Sequence, residues 1–160
     1  MEAEGSYQRF NVLLVGDDDF NGQILEIFDV YDSNKESKVN VKGFVPGILD
    51  CSFASNNCPL FLDMDEAFNN DVISQSENLI VLIFTHSFDA VKVIEECSKR
   101  ELPIVLGTSG WNKKLGYLYS TMKGVPFEVL NFNKDSICDH ETRSMIIDAC
   151  RRIEYSKAYC

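Results

Sequence analysis

The chain has 160 residues, of which 45% are hydrophobic and 11% aromatic, and it carries a formal net charge of −10. This length favours a single domain with a sizeable core, and the apolar content argues against disorder. The excess of acidic residues argues against nucleic acid as a partner, and no apolar run approaches the roughly 20 residues that a membrane span requires.

The cysteines and the N-terminus bear on compartment and metal content. The six cysteines include no Cys-x-x-Cys pair, and the sequence begins Met-Glu-Ala-Glu-Gly, which is unlike a signal peptide. His140 lies near Cys138, but one such pair falls short of a metal site. We therefore expect free thiols, no bound metal and a cytoplasmic protein that does not associate with membranes.

Six short apolar runs are predicted to form strands. They cover residues 11–15, 39–45, 60–62, 79–84, 103–106 and 126–130. Several of them, such as Leu79 to Phe84, are continuously apolar rather than alternating, which is typical of central strands covered on both faces.

Amphipathic segments separate most of these runs and are predicted to be helices. They comprise residues 21–30, residues 63–69, a helix with Phe88, Val91, Ile94 and Cys97 on one face, a helix with Leu115, Leu118, Tyr119 and Met122 that Gly124 ends, and a last helix with Met145, Ile146, Ala149, Cys150 and Ile153. Strands that alternate with helices indicate right-handed βαβ crossovers. Residues 1–160 are thus expected to form one Rossmann-like, doubly wound α/β domain, with a mostly parallel six-stranded sheet and helices on both faces.

The loop after the first strand carries a glycine pattern related to dinucleotide binding. Gly16 and Gly22 stand six residues apart, as in G-x-x-G-x-x-G, but Asp19 occupies the middle position. A middle glycine lets backbone N–H groups approach a pyrophosphate, and the run Asp17-Asp18-Asp19 repels one. An Asp in this run that caps the following helix is the alternative interpretation.

The same acidic loop is also similar to the magnesium-binding start of receiver domains. In that interpretation Asp63 would be the phosphoacceptor, Thr108 the switch hydroxyl and Lys134 the lysine near the last strand. Receivers have five strands, however, and the run Leu79 to Phe84 would be an extra strand between Asp63 and Thr108.

Three later strand-to-loop junctions favour a third interpretation. They read Phe84-Thr85-His86, Gly107-Thr108-Ser109-Gly110-Trp111 and Asn131-Phe132. In order and spacing they resemble the Asp-Phe-Thr-x-Pro, Gly-Thr-Thr-Gly-Phe and Ala-Asn-Phe-Ser junctions of the N-terminal domain of dihydrodipicolinate reductase (4-hydroxy-tetrahydrodipicolinate reductase). The resemblance extends over roughly residues 10 to 135.

This resemblance implies an NADH- or NADPH-binding domain, and hydride transfer to a cyclic imine in the diaminopimelate route to lysine. Gly16 and Gly22, with Phe20 and Asn21 between them, would flank the cofactor pyrophosphate. The residues that would contact the ribose and nicotinamide are Phe84, Thr85, His86, Gly107, Thr108, Ser109, Gly110, Asn131 and Phe132. Small residues admit the ring, while hydroxyl and backbone groups bind the carboxamide and ribose.

Some departures from the family pattern limit what the resemblance implies. Ile83 and Ser87 replace the family's Asp and Pro, and residues 43–46 offer no acidic residue for a ribose hydroxyl. The family's second domain, which supplies a His-His…Lys constellation, has no counterpart in residues 1–160. We therefore expect no catalytic residues here and a truncated or degenerate cofactor domain that is inactive alone. The alternative is a non-catalytic interaction module; a homo-oligomer or a separate completing subunit stays open.

Overall fold

The computed structural model describes residues 10–16, 39–46, 61, 63–84, 87–107, 113–130 and 139–158. In these residues the strands, β1 to β5, are Phe10–Gly16, Val39–Pro46, Leu79–Phe84, Ile104–Leu106 and Phe127–Val129. The helices, α1 to α5, are Met64–Asn69, Asp71–Ser74, Ser87–Lys99, Leu115–Met122 and Asp139–Ala158. The predicted helix over residues 21–30 lies outside the described residues.

The strands form one sheet in the order β2-β1-β3-β4-β5, and every neighbouring pair is parallel. This confirms the predicted α/β class and the parallel sheet. The described sheet has five strands rather than the predicted six. From the run 60–62 only Phe61 is described, and its backbone N–H donates to the carbonyl oxygen of Phe44 on β2 at 3.0 Å. A single hydrogen bond to a neighbouring strand does not amount to a ladder.

Side chains from the two faces of the sheet enter two separate hydrophobic cores. On β1, Leu13 and Val15 enter the first core, which helices α1 to α4 complete, and Val12 and Leu14 enter the second core, which α5 covers. The alternation follows from the twofold side-chain period of a strand. Helices therefore cover both faces of the sheet, as predicted.

Side chains of the first core lie very close to the backbone of β2 at Gly43. The register between β1 and β2 shifts after Val12, so that Leu13 lies opposite Gly43. A Cβ atom built on Gly43 would lie 2.5 Å from Phe61 Cε2 and 3.2 Å from Ile73 Cδ1. The Phe61 ring therefore occupies the space that a side chain at position 43 would need.

The helices begin and end with local signals that the sequence carries. Asp63 caps α1, since its Oδ1 accepts from the Glu66 N–H at 2.9 Å, and Asn70 caps α2 in the same way through the Val72 N–H. Helix α4 ends at Met122, and its C-cap residue Lys123 has φ +49. The predicted stop, Gly124, follows with φ +90. Two successive left-handed residues thus turn the chain into β5.

Candidate functional site

The carboxyl ends of the parallel strands meet at one edge of the sheet. Gly16 at the end of β1 is in register with Phe84 at the end of β3. The Gly107 N–H donates to the Ile83 carbonyl at 2.9 Å, and the Leu130 N–H donates to the Leu106 carbonyl at 2.8 Å. The chain therefore leaves β1, β3, β4 and β5 at this common edge, which we call the carboxyl edge.

The strand order reverses between β1 and β3. The chain continues from β1 to β2 on one side, whereas β3 lies on the other side of β1. Loops that leave such neighbours in opposite directions open a crevice, where open α/β sheets hold their ligands. Gly16 and Phe84 lie on either side of that point.

Gly16 has a backbone conformation that suits this position. Its φ is +152, a value that residues with a Cβ rarely adopt. The absence of a side chain leaves room for a ligand to approach the backbone at the end of β1. Phe84 is 7% exposed and packs into the second core, so its ring lies in the core beneath the carboxyl edge.

The structure describes three of the residues predicted to bind cofactor, and it brings Gly16, Phe84 and Gly107 to the carboxyl edge. The others lie outside the described residues and stay predictions, as does the influence of Asp17 to Asp19. They are Phe20, Asn21, Gly22, Thr85, His86, Thr108, Ser109, Gly110, Asn131 and Phe132.

Two lysines that precede α4 were not anticipated from the sequence. Lys113 and Lys114 are exposed and directly precede α4, and the Lys114 side chain makes no capping bond at the helix N-terminus. Cations are unfavourable at that end of a helix dipole, whereas anions are favourable. The signal was a Lys-Lys pair where acidic residues usually begin a helix.

The buried thiols take no part in this edge and have no nucleophilic character. Cys97 on α3 belongs to the first core and Cys150 on α5 to the second, and both are fully buried. Burial, with a smaller contribution from Glu96, raises the pKa of Cys97 to about 12, although Arg100 acts in the opposite direction. Burial and Glu154 raise the pKa of Cys150 to about 12. Both thiols are therefore neutral at physiological pH, whereas reactive cysteines are thiolates.

Asp63 is a helix cap in the structure, which bears on the receiver interpretation. β3 is the third strand in chain order, and it ends at Phe84 rather than at an aspartate. Asp63 instead begins α1, next to Phe61, which is bonded to β2 at the opposite side of β1 from β3. Its carboxylate is thus engaged with the backbone of α1.

The capping role of Asp63 makes a specific prediction. Replacing it with alanine should lower the free energy of unfolding by about 1 kcal/mol, because the Glu66 N–H would lose its acceptor. Asp63→Asn keeps an oxygen in the same place and should cost much less. Urea denaturation of both variants measures the difference, and equal losses would contradict the cap.

The side chains and helices of the described residues bear on metal binding and on membrane association. In this part of the chain no three His, Cys, Asp or Glu side chains lie close enough together to hold a metal ion. Among the described helices, none combines the length and the apolar character that are needed to cross a bilayer.

Comparison with known proteins adds a structural likeness. Two structures of S. aureus homoserine dehydrogenase, determined at pH 6.5 and pH 7.0, match with TM-scores of 0.54 and 0.55 and 15% sequence identity. The matches cover 76% and 78% of this chain but only 32% and 33% of the dehydrogenase chains, so this chain spans about a third of their length. No protein-family model and no curated protein sequence matches it. At this identity the likeness shows a shared fold.

Proposed function

We propose that this chain is a nicotinamide dinucleotide-binding domain of the oxidoreductase class, with the cofactor pyrophosphate above Gly16. The observation that carries the proposal is the pairing of Gly16, at φ +152, with Phe84 where the strand order reverses. A glycine at that point lets a phosphate approach the backbone closely.

The order of the strands is consistent with this proposal. The five described strands have the order 2-1-3-4-5, and doubly wound sheets of this kind bind their ligands where the order reverses, which is beside β1 here. A sixth strand outside β2 would extend this order to the 3-2-1-4-5-6 of dinucleotide-binding sheets, and Phe61 donates a hydrogen bond to Phe44 on that side.

The charges before α4 also suit an anionic cofactor. Lys113 and Lys114 are exposed and add positive charge at the start of this helix, in a chain that is otherwise strongly acidic. In the proposed arrangement Thr85, Thr108 and Asn131 supply polar groups for the ribose and carboxamide. The structural likeness to homoserine dehydrogenase supports the general class. It does not favour the cyclic imine of the lysine pathway over other substrates, so we assign cofactor binding without a specific substrate.

Titration of the full chain with NADH and NADPH tests this proposal. We expect saturable binding in the micromolar to sub-millimolar range, followed by calorimetry or by the fluorescence of the reduced nicotinamide. Gly16→Ala should weaken binding by at least about tenfold, because the new Cβ strains the backbone and occupies ligand space.

Gly116→Ala is the matched control for this substitution. Gly116 lies in α4, and a Cβ there would meet nothing within 4 Å. Its variant should bind cofactor like the original chain. Absence of binding by the original chain at millimolar cofactor would contradict the proposal.

The second candidate function is an interaction module that has lost the phosphate site. The observation that favours it is the run Asp17-Asp18-Asp19 in the loop where a pyrophosphate would bind. The variant Asp19→Gly separates the two candidates. Cofactor binding that appears only in this variant indicates a site that has been lost, whereas binding by the original chain removes this candidate.

A further inference from the structure

Helix α4 exposes apolar and aromatic side chains and no charged ones. None of its eight residues carries a charge. Leu118 and Met122 are buried in the first core. On the other sides of the helix, Leu115, Tyr117 and Tyr119 are 39%, 36% and 69% exposed. Exposed apolar side chains with tyrosine among them, and no charged residue between them, are typical of protein interfaces.

Two small residues lie between these exposed side chains. At 3.6 residues per turn, Gly116 and Ser120 share the face of α4 that points away from the core. The same periodicity places Leu115 and Tyr119 on one side of them and Tyr117 on the other. A Cβ atom built on Gly116 would meet nothing within 4 Å, so the helix backbone is accessible there. A partner can therefore approach α4 closely between its tyrosine rings.

Lysines lie at both ends of this outer face of α4, in a chain that is otherwise acidic. Lys113 and Lys114 directly precede the helix, Lys123 follows it, and all three are exposed. Residues 102–127 contain no aspartate or glutamate, although the whole chain has 25 acidic residues among 160. At the helical rise of 1.5 Å per residue, the lysines before and after α4 are roughly 15 Å apart. The outer face is thus positively charged at both ends and neutral between them.

The adjacent end of helix α3 does not cancel these positive charges. The Ser98 hydroxyl donates to the Thr121 carbonyl, so the last turn of α3 lies against the last turn of α4. The Glu96 carboxylate in that turn pairs with two cations of its own helix end. The charged side chains there sum to zero, and they are Glu96, Lys99, Arg100 and Glu101. The three lysines around α4 therefore determine the sign of the charge at its outer face.

We propose that the outer face of α4 binds a segment of another protein that has apolar side chains at its centre and carboxylates on both sides. The apolar side chains of that segment lie on Gly116 and Ser120 between the tyrosine rings. Its carboxylates pair with the lysines at the two ends, which is the charge complementarity that gives an interface its specificity. The proposal is independent of cofactor binding.

The same charges disfavour the other occupants of such a face. A second copy related by a twofold axis at α4 would set lysines against lysines, whichever way the two helices run. An anionic lipid surface is flat and extended, so it would also meet the acidic remainder of a chain with a net charge of −10. A protein segment, by contrast, contacts only the outer face of α4 and its lysines.

Selection of peptides from a random displayed library on the full chain tests this proposal. We expect the enriched peptides to carry apolar residues flanked by aspartate or glutamate, and to bind with micromolar dissociation constants. Fluorescence anisotropy should show at least roughly tenfold weaker binding to Tyr119→Ala, because this ring supplies much of the exposed contact area. Tyr155→Ala is the matched control: Tyr155 is 66% exposed but lies on α5, and its removal should leave binding unchanged.

A charge reversal provides a second test that does not threaten the fold. Lys113→Glu should weaken binding of the same peptides, and the loss should shrink at high salt. A carboxylate near the start of a helix is favourable for its dipole, so the variant should fold. Absence of enrichment, enrichment without an excess of acidic residues, or binding that neither Tyr119→Ala nor Lys113→Glu weakens overturns the proposal. A dimer of the full chain, or sedimentation with phosphatidylserine vesicles, that Tyr119→Ala abolishes would assign the face to another occupant and overturns it as well.

Discussion

Replacing Gly43 with alanine should lower the free energy of unfolding by about 2 to 3 kcal/mol. The new Cβ would lie 2.5 Å from Phe61 Cε2, 3.2 Å from Ile73 Cδ1 and 3.3 Å from Leu13 Cδ1. All three neighbours are buried in the first core, so none can move into solvent. The added methyl group therefore forces side chains out of their preferred rotamers or shifts β2.

Urea denaturation measures this loss as a fall in the midpoint at an unchanged slope. Gly116→Ala is again the control, because it adds the same atom to open space within a helix and should be neutral or slightly stabilising. Adding Phe61→Leu to Gly43→Ala should recover part of the loss, since a smaller side chain yields space to the new methyl group. Losses of similar size in Gly43→Ala and Gly116→Ala would show that Phe61 does not fill the space above Gly43.

Raising the pH above about 9 should destabilise the fold steeply because of Cys97 and Cys150. Burial raises the pKa of each thiol from 9.0 to about 12. Between these values the unfolded chain releases the two protons while the folded chain retains them, so stability is full below pH 9 and falls as the pH rises. Each thiol contributes a loss of roughly 1 kcal/mol per pH unit, which amounts to several kcal/mol for the pair by about pH 11.

Urea denaturation at a series of pH values between about 8 and 11 checks this expectation. The double variant Cys97→Ala with Cys150→Ala is the appropriate comparison. It should be less stable at neutral pH, because it leaves two cavities, but its stability should depend much less on pH in the alkaline range. Parallel pH profiles for the two proteins would exclude the thiols as the cause.

The elements that could be predicted from the sequence are those with strong local signals. The continuous apolar run of β3 and the helical spacing of α4 both gave the observed bounds, Leu79–Phe84 and Leu115–Met122. The run 60–62 has too few residues to show any periodicity, and its assignment as a strand is not confirmed. The register between the strands could not be predicted either, because it is decided by packing between distant segments.

In the candidate site, too, residue types can be found in the sequence, whereas backbone conformations and contacts between distant residues cannot. A glycine at position 16 can be found in the sequence, but its φ of +152 and its pairing with Phe84 cannot. The interpretation of Asp63 as a phosphoacceptor rested on residue type alone, whereas its backbone bond in α1 depends on where the helix begins. The position of Lys113 and Lys114 directly before a helix depends on where α4 begins, which the sequence alone does not fix to the residue.

The division of the interior by the sheet has a consequence for how this chain can vary over time. Because the first and second cores of the described residues share a backbone layer but no side chains, a substitution that leaves the backbone in place touches only one of them. Substitutions in the first core and in the second core should then accumulate with little epistasis. Each core can therefore change its sequence independently of the other. A lineage of such domains can thus remodel the surface beneath α5 while preserving the half that supports α3 and α4.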